Sequence, residues 1–469
     1  MPRIAIPVTG PTYRSSNPLA GNQYTANSYL EISQNADKQV ILQSFPGLKA
    51  FSTTTAAVSR GFATYDNDLY SVVGQTLYKT TSDGTSTNIG SIPGAAQCGM
   101  IDDGINLVIT TGHDKPWTWD GTTLTQGTDI DLPNANTVTY MNRRVIYDGS
   151  GQDVVFPELD DPLNVNSLNV TSADTDSDDT IAVHAHNQQL FAFGSRTITP
   201  YYNSGAGYPP FDVIQNSIKD VGLSAIHSVC SNDEFMYFLG SDLQVYRFSG
   251  LTLQVISDSS LATSIGNYDY PDQAKGFCFT LQGQRFYILQ FPGVETWLYS
   301  EGIGWTNLTT NGTHDAHPIN GHAKIWGRDL IIERTTGNIL ELDFDTFTNN
   351  GDSILRQRDT LALTGEPLGV PGQELFMSTL GVVIKTGVGV ITGQGTNPQI
   401  MMQYSDDGGR TWSSDRVQSM GKLGEYLPRK PIEWHDVGSF YSRRFRLKVS
   451  DPVDVSIIGA YADVEVGSG

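Results

Sequence analysis

Residues 66–79, Asp66-Asn67-Asp68-Leu69-Tyr70-Ser71-Val72-Val73-Gly74-Gln75-Thr76-Leu77-Tyr78-Lys79, hold a polar turn, an apolar strand starting at Leu69 and a further strand ending Leu77-Tyr78-Lys79. The form recurs along the chain. The turn-and-return pieces continue with Asp102-Asp103-Gly104-Ile105, Asn142-Arg143-Arg144-Val145-Ile146 and Asn187-Gln188-Gln189-Leu190-Phe191. Then come Asn232-Asp233-Glu234-Phe235-Met236, Gly283-Gln284-Arg285-Phe286-Tyr287 and Gly327-Arg328-Asp329-Leu330-Ile331. The apolar anchors fall at 69, 105, 145, 190, 235, 286 and 330, in steps of 36 to 51 residues. Each is followed by a strand rich in aromatic and β-branched residues, such as Trp117-Thr118-Trp119, Val245-Tyr246-Arg247-Phe248 or Trp297-Leu298-Tyr299, and most by a weaker fourth strand, such as Trp305-Thr306-Asn307-Leu308. Four strands every 40 to 50 residues or so is the period of propeller blades. A lone four-stranded sheet exposes two apolar faces, and packing blades around an axis buries both. The pattern predicts an all-β protein with a β-propeller over 56–365, of seven blades, or of six if the third or last unit is irregular.

Working outward, Val40 to Phe51 has strand character on either side of Pro46-Gly47. Residues 1–55 are therefore expected to form an N-terminal extension that includes a strand completing the last blade. Past residue 360 the hydrophobic period shortens to two, as in Gly381-Val382-Val383-Ile384-Lys385 and Arg444-Phe445-Arg446-Leu447-Lys448-Val449. That alternation predicts a C-terminal antiparallel β-sandwich over 366–469. The 469 residues carry a net charge of -21, which excludes a chain that grips nucleic acid with its whole surface. Residues 401–450 run against this balance with a net of +3. Arg429, Lys430, Arg443, Arg444, Arg446 and Lys448 are read as a candidate basic interface patch that meets an acidic face of a neighbour.

The local motifs carry little catalytic promise. Ser405-Asp406-Asp407-Gly408-Gly409-Arg410-Thr411-Trp412 resembles the Asp box, S-x-D-x-G-x-T-W, of sialidases and related propellers. Ser405, Asp407, Gly409, Thr411 and Trp412 are read as a structural hairpin, with side chains bonding the loop backbone and Trp412 packed beneath. Asp174-Thr175-Asp176-Ser177-Asp178-Asp179 begins like a calcium loop but has Asp179 where Gly is wanted and Ala185 where Glu is wanted, so it reads as a solvated loop. His184 and His186 share one face of a strand without an assignable third ligand, and His314, His317 and His322 are expected on a surface loop. Cys98, Cys230 and Cys278 are expected to be buried reduced thiols. No apolar run is long enough to span a membrane, and the Met1 segment does not read as a signal peptide, so no membrane anchor and synthesis in a reducing cytoplasm are expected. With no phosphate loop and no nucleophile elbow, no catalytic, cofactor-binding or metal residues are expected.

A resemblance covers nearly the whole chain. It rests on Asn22-Gln23-Tyr24-Thr25-Ala26-Asn27-Ser28-Tyr29-Leu30-Glu31, Ser44-Phe45-Pro46-Gly47-Leu48 with Arg60-Gly61, and the opening stretch from Asp68 to Tyr78. It continues through Tyr201-Tyr202-Asn203-Ser204-Gly205, Pro209-Pro210-Phe211, Phe286-Tyr287-Ile288-Leu289, Thr296-Trp297 and Thr335-Thr336-Gly337-Asn338-Ile339. In this order the segments resemble the tail hub, or nozzle, of short-tailed phages, also called the packaged-DNA stabilisation protein. The resemblance implies a homohexamer in the virion tail, docked below the portal and its head-to-tail adaptor, that extends the DNA channel. It also implies a tail needle or plug and tailspikes or fibres as neighbours, and genomic DNA that passes without sequence-specific reading. It carries no catalytic residues. Residues 171–179 and 313–322 depart from the pattern and read as local insertions. A sialidase-like or lectin-like propeller acting on host glycans is the alternative.

Overall fold

A computed structural model describes residues 3–15, 17, 21–33, 39–172, 178–205, 209–310, 315–427 and 430–467. Seven four-stranded antiparallel sheets follow one another around an axis: blades 1 (59–91), 2 (99–126), 3 (138–172), 4 (180–213), 5 (230–255), 6 (275–308) and 7 (319–343). The first strand of each blade is innermost, and that of blade 7, Ile319–Ile325, touches that of blade 1, Ser59–Tyr65. Blade 7 takes its fourth strand from elsewhere: Gly47–Ser52 pairs antiparallel with Ile339–Asp343, with Leu48 opposite Leu342.

The polar turns explain why the blades start where they do. In five blades the first hairpin turns on two residues that both have positive φ: Asp66-Asn67, Asn142-Arg143, Asn187-Gln188, Gln282-Gly283 and Trp326-Gly327. That left-handed pair matches the twist of the flanking strands. Blades 2 and 5 turn differently, with an Asx side chain collecting the loop amides. Asp103 Oδ1 accepts from the Ile105 and Asn106 amides at 2.8 and 2.5 Å, and Asn232 Oδ1 accepts from those of Glu234 and Phe235 at 3.0 and 2.8 Å. In blade 2 this wider turn displaces the anchor. Ile105 lies in the turn and is 51% exposed, while Leu107 is fully buried in the position expected of it.

Between each pair of neighbouring blades lies a separate apolar cluster. Tyr70, Val72, Leu107 and Trp119 join blades 1 and 2; Tyr237, Tyr287, Trp297 and Trp305 join blades 5 and 6; Leu69, Ala323, Ile325 and Leu330 close the ring between 7 and 1. The cysteine reading is corrected here. Cys230 and Cys278 form a disulfide between the innermost strands of blades 5 and 6, with a Cα–Cα distance of 6.1 Å, and only Cys98 stays a buried thiol. Their separation of 48 residues is one blade repeat, which puts them side by side in the ring.

The sandwich is not confined to 366–469. One sheet runs Ser28–Ile32, Val40–Ser44, Ser456–Val466, Leu375–Ile384 and Ile432–Phe440, with Arg3–Ile6 paired to Ser456–Val466 as well. The other runs Tyr24–Ala26, Arg356–Asp359, Ser442–Val449, Gln399–Ser405 and Arg416–Ser419. Ile6, Val8, Leu30 and Leu42 from the N-terminal segment therefore share one core with Trp434, Phe445 and Leu447. The second sheet also continues into the propeller, because Ala26 pairs in parallel with Asn307 at the outer edge of blade 6.

Candidate functional site

The seam between propeller and sandwich concentrates the buried charge. Arg358, 1% exposed, donates from Nε to Val8 O at 2.8 Å and from its two terminal nitrogens to Gly10 O, Pro11 O, Thr25 Oγ1 and Gln23 Oε1 at 2.7 to 3.1 Å. One guanidinium thus satisfies the carbonyls of a segment with no strand partner of its own, and burial lowers its pKa to about 9. Arg14, from the same segment, pairs in two-pronged fashion with the buried Glu295 of blade 6. Glu295 also accepts from Asn307 Nδ2 at 3.0 Å and from the Tyr268 hydroxyl. None of these groups was singled out in the sequence, since nothing in their spacing links residues 280 to 350 positions apart.

Beside the seam stands the Asp-box hairpin. Gly409 N donates to Ser405 Oγ and Ser405 Oγ to Asp407 Oδ1, both at 2.8 Å. Asp407 accepts the Arg410 and Thr411 amides at 2.9 and 3.0 Å and the Thr411 hydroxyl at 2.6 Å. Trp412 Nε1 donates to Gly409 O at 3.1 Å. Gly409 has φ +94°, and a Cβ there would strike the Arg444 guanidinium. The Thr411 hydroxyl and amide, then Ser405, hold Asp407 well below the usual carboxylate range. A carboxylate depressed on folding contributes above its unfolded pKa, about 4, and loses that contribution only as pH falls through the lower folded value. In Asp407→Ala the Arg410 and Thr411 amides should exchange faster with solvent, whereas in the parent they should stay protected at about pH 4. Hydrogen exchange by NMR checks this, and equal protection in both proteins would refute the clamp.

The same geometry corrects the basic patch. Arg443, 3% exposed, donates to both Asp406 carboxylate oxygens at 2.6 Å and to Val437 O at 2.7 Å. Arg444, also buried, donates to Gly408 O at 2.8 Å and Thr360 O at 3.2 Å. Arg446 pairs with Asp359 at 2.7 and 2.8 Å and stacks 3.8 Å over Trp412, and Lys448 pairs with Asp415 at 2.8 Å. Alternation along Ser442–Val449 sends Arg443 to one face and Arg444, Arg446 and Lys448 to the other, and carboxylates, or for Arg444 backbone carbonyls, meet them there. Lys430 is exposed, and Arg429 lies outside the described residues.

The histidines are corrected too. His317 is buried edge-to-face against Phe45, and burial lowers its pKa to about 3. His322 sits on the first strand of blade 7 with Nε2 3.1 Å from Asp329 Oδ1. His184 lies 2.8 Å from Ser231 Oγ, and His186 faces Glu234 O at 3.3 Å. His314 and Asp174 to Ser177 lie outside the described residues, while Asp178 is buried and accepts the Ser195, Arg196 and Thr197 amides. Among the described residues no three His, Cys, Asp or Glu side chains converge as a metal site would require, and no helix is long and apolar enough to cross a membrane.

Where the seven innermost strands converge there is an axial cavity of about 350 Å³. Phe62, Met100, Thr139, His184, Cys230, Lys275 and His322 face it, one from each blade in turn, joined by His227 from the 3-10 turn that leads into blade 5.

Comparison with known families decides what the two domains are. A model described as bacteriophage P22 Gp10, beta-propeller, matches residues 4–346, and one described as bacteriophage P22 Gp10, beta-sandwich, matches residues 370–465. The chain belongs to the bacteriophage P22 Gp10 family. It is a structural phage tail protein, a component of the virion. The boundary between the two Gp10 models follows the order of the sequence, whereas the fold returns Arg3–Ile6, Tyr24–Ala26, Ser28–Ile32 and Val40–Ser44 to the sandwich. A search of curated proteins finds no match. Among solved structures, the Pan2 WD40 domain of Neurospora crassa is 5% identical and covers 64% of this chain and 96% of its own, with a TM-score of 0.44. BamB from Moraxella catarrhalis is 11% identical over 69% and 98%, at 0.39, and streptogramin B lyase 10% identical over 63% and 96%, at 0.43. Scores this low carry no argument about what a Gp10-family chain does.

One pairing in this Gp10-family chain touches the glycosidase alternative. Sialidase chemistry needs a Tyr backed by a carboxylate and three arginines on a substrate carboxylate. Tyr268 does meet Glu295, and a cavity of about 270 Å³ at the seam holds Arg14, Arg444 and Arg446. Each of those guanidinia already has an internal partner, and Tyr268 also accepts from Trp297 Nε1 at 3.1 Å. These groups fasten the N-terminal segment and the sandwich to blade 6.

Proposed function

We propose that six copies of this chain form a ring that docks below the portal and its adaptor, extends the DNA channel, retains packaged DNA and conducts it during ejection. The observation that carries this reading is the pair of Gp10-family matches, propeller then sandwich, in one chain. The charge supports it. DNA that slides must not be gripped, and a lumen bordered by carboxylates repels phosphate within about one Debye length, ~8 Å at physiological salt. With -21 overall, and Arg443, Arg446 and Lys448 paired internally with carboxylates, the charge balance is acidic. Exposed apolar side chains offer contacts for subunits or for a needle, spike or fibre: Ile130, Leu159 and Leu168 around blade 3, and Ile391, Leu423, Tyr426 and Leu427 at one end of the sandwich.

Negative-stain images of the protein mixed with portal–adaptor complex should show six-fold density at the portal vertex. Absence of binding, together with cleavage or retention of host glycans, would replace this reading with the glycan-directed one. A lumen ringed by Lys and Arg would overturn the repulsive channel.

A further inference from the structure

The propeller axis holds a positive charge that the chain itself does not balance. Lys275 opens the innermost strand of blade 6, and its part-buried ammonium donates to Asn320 Oδ1 at 3.0 Å. The titratable neighbours acting on it are the Arg334 guanidinium, which repels it, and the Cys98 thiol, which burial raises to about 11 and so keeps neutral. Among the described residues no carboxylate takes part, and Asp329, the acid beside His322 in blade 7, is held by His322 and Lys324. Other buried or part-buried cations, Arg14, Arg60, Arg443 and Arg446 among them, meet a carboxylate or a set of carbonyls, while Arg356, buried at the seam, is also without one.

The rest of the lining points the same way. Thr139 Oγ1 accepts the Ala185 amide at 2.9 Å, which leaves its own O–H free to donate. The buried Gln97 Oε1 has no partner, and rotation about the terminal torsion presents the NH2 in its place. His227 is kept neutral, lowered to about 4 first by burial and then by Lys275, so one ring nitrogen carries a proton to donate. Burial lowers Lys275 to about 8, which still leaves it mostly charged at neutral pH. A cavity of about 350 Å³ with one unmatched ammonium, several free donors and no free carboxylate is complementary to an oxyanion.

We infer that the axial cavity of the propeller binds a small anion of the phosphate class, held by Lys275 with Thr139, Gln97 and His227 as further donors. The site lies within one subunit and does not depend on ring assembly. In a protein of net charge -21 such binding is local, because the long-range field opposes it.

The test uses the full-length chain and inorganic phosphate, followed by isothermal titration calorimetry and by the rise in melting temperature that ligand binding to the folded state produces. The parent should give a saturable isotherm. Lys275→Met should weaken binding about tenfold or more while the unliganded protein melts no lower, since an unpaired part-buried charge has been removed. Gln97→Glu, which puts a carboxylate into the cavity to neutralise Lys275, should abolish binding and decides the matter if Lys275→Met does not fold. A short single-stranded oligonucleotide should fail to compete with phosphate. No saturable binding to the parent, unchanged affinity in either folded variant, or binding of the oligonucleotide but not of phosphate would each overturn the assignment.

Discussion

A chain that begins at residue 56 should not form the ring. The deletion removes Gly47–Ser52, which pairs with five residues of blade 7 and inserts Leu48 among Leu340, Leu342, Ile288 and Ile331. Without it the outer edge of Ile339–Asp343 is open and the cluster between blades 6 and 7 loses a wall. The same deletion takes Arg3–Ile6, Tyr24–Ala26, Ser28–Ile32 and Val40–Ser44 out of the two sandwich sheets. Both domains therefore fail together, and the expected result is an aggregating chain with no cooperative melt. A chain beginning at residue 46 separates the two losses: it keeps the closing strand, so the propeller should melt cooperatively while the sandwich signal is lost. Within the full chain, Leu48→Ala should cost about 2 to 5 kcal/mol, the usual range for a fully buried leucine. Circular dichroism melts of the three proteins check this, and an unchanged melting curve for the chain starting at 56 would dispose of the closure model.

Arg358→Ala should be the most damaging single substitution in the seam. It leaves three backbone carbonyls, Gln23 Oε1 and Thr25 Oγ1 without the donor they now share. Buried acceptors that lose a charged donor recover little, because water reaches them poorly, so a loss of about 3 to 5 kcal/mol is expected. Arg358→Lys should rescue only part of it, since an ammonium cannot span five acceptors arranged for a planar fork. Urea unfolding gives the size of the effect, and limited proteolysis gives its place: cleavage should rise within residues 8–25 before the rest of the chain opens. A variant that unfolds at the parent's urea concentration, with no new cleavage there, would show that the guanidinium does not hold the segment.

The blades were legible because their code is local. A pair of left-handed turn residues followed by an apolar strand can be read within a dozen positions, as at Asp66-Asn67 and Asn187-Gln188. The Asp box was legible for the same reason, since Ser405, Asp407, Gly409 and Thr411 bond to one another within seven residues. Where an Asx turn replaced the left-handed pair, as at Asp103, the strand was recognised but its anchor was misplaced by two positions. The arginines of Ser442–Val449 misled for the opposite reason. Their charge is visible in the sequence, but which carboxylates meet them is not: Asp359 comes from the neighbouring strand Arg356–Asp359, and Asp406 and Asp415 from the loops beside Gln399–Ser405 and Arg416–Ser419.

The amino-acid order by itself thus determined the all-β class, the seven-fold repeat, the change of period at the sandwich and the resemblance to a tail protein, all of which rest on side chains a few residues apart. Tertiary structure alone decided that strands of the N-terminal segment belong to the sandwich, that Cys230 meets Cys278, that the cations of Ser442–Val449 find internal partners, and that Lys275 stands on the axis without a carboxylate among the described residues. Those facts depend on which strands become neighbours when a ring closes. That is settled by burying every blade face at once, and not by any stretch of chain short enough to read.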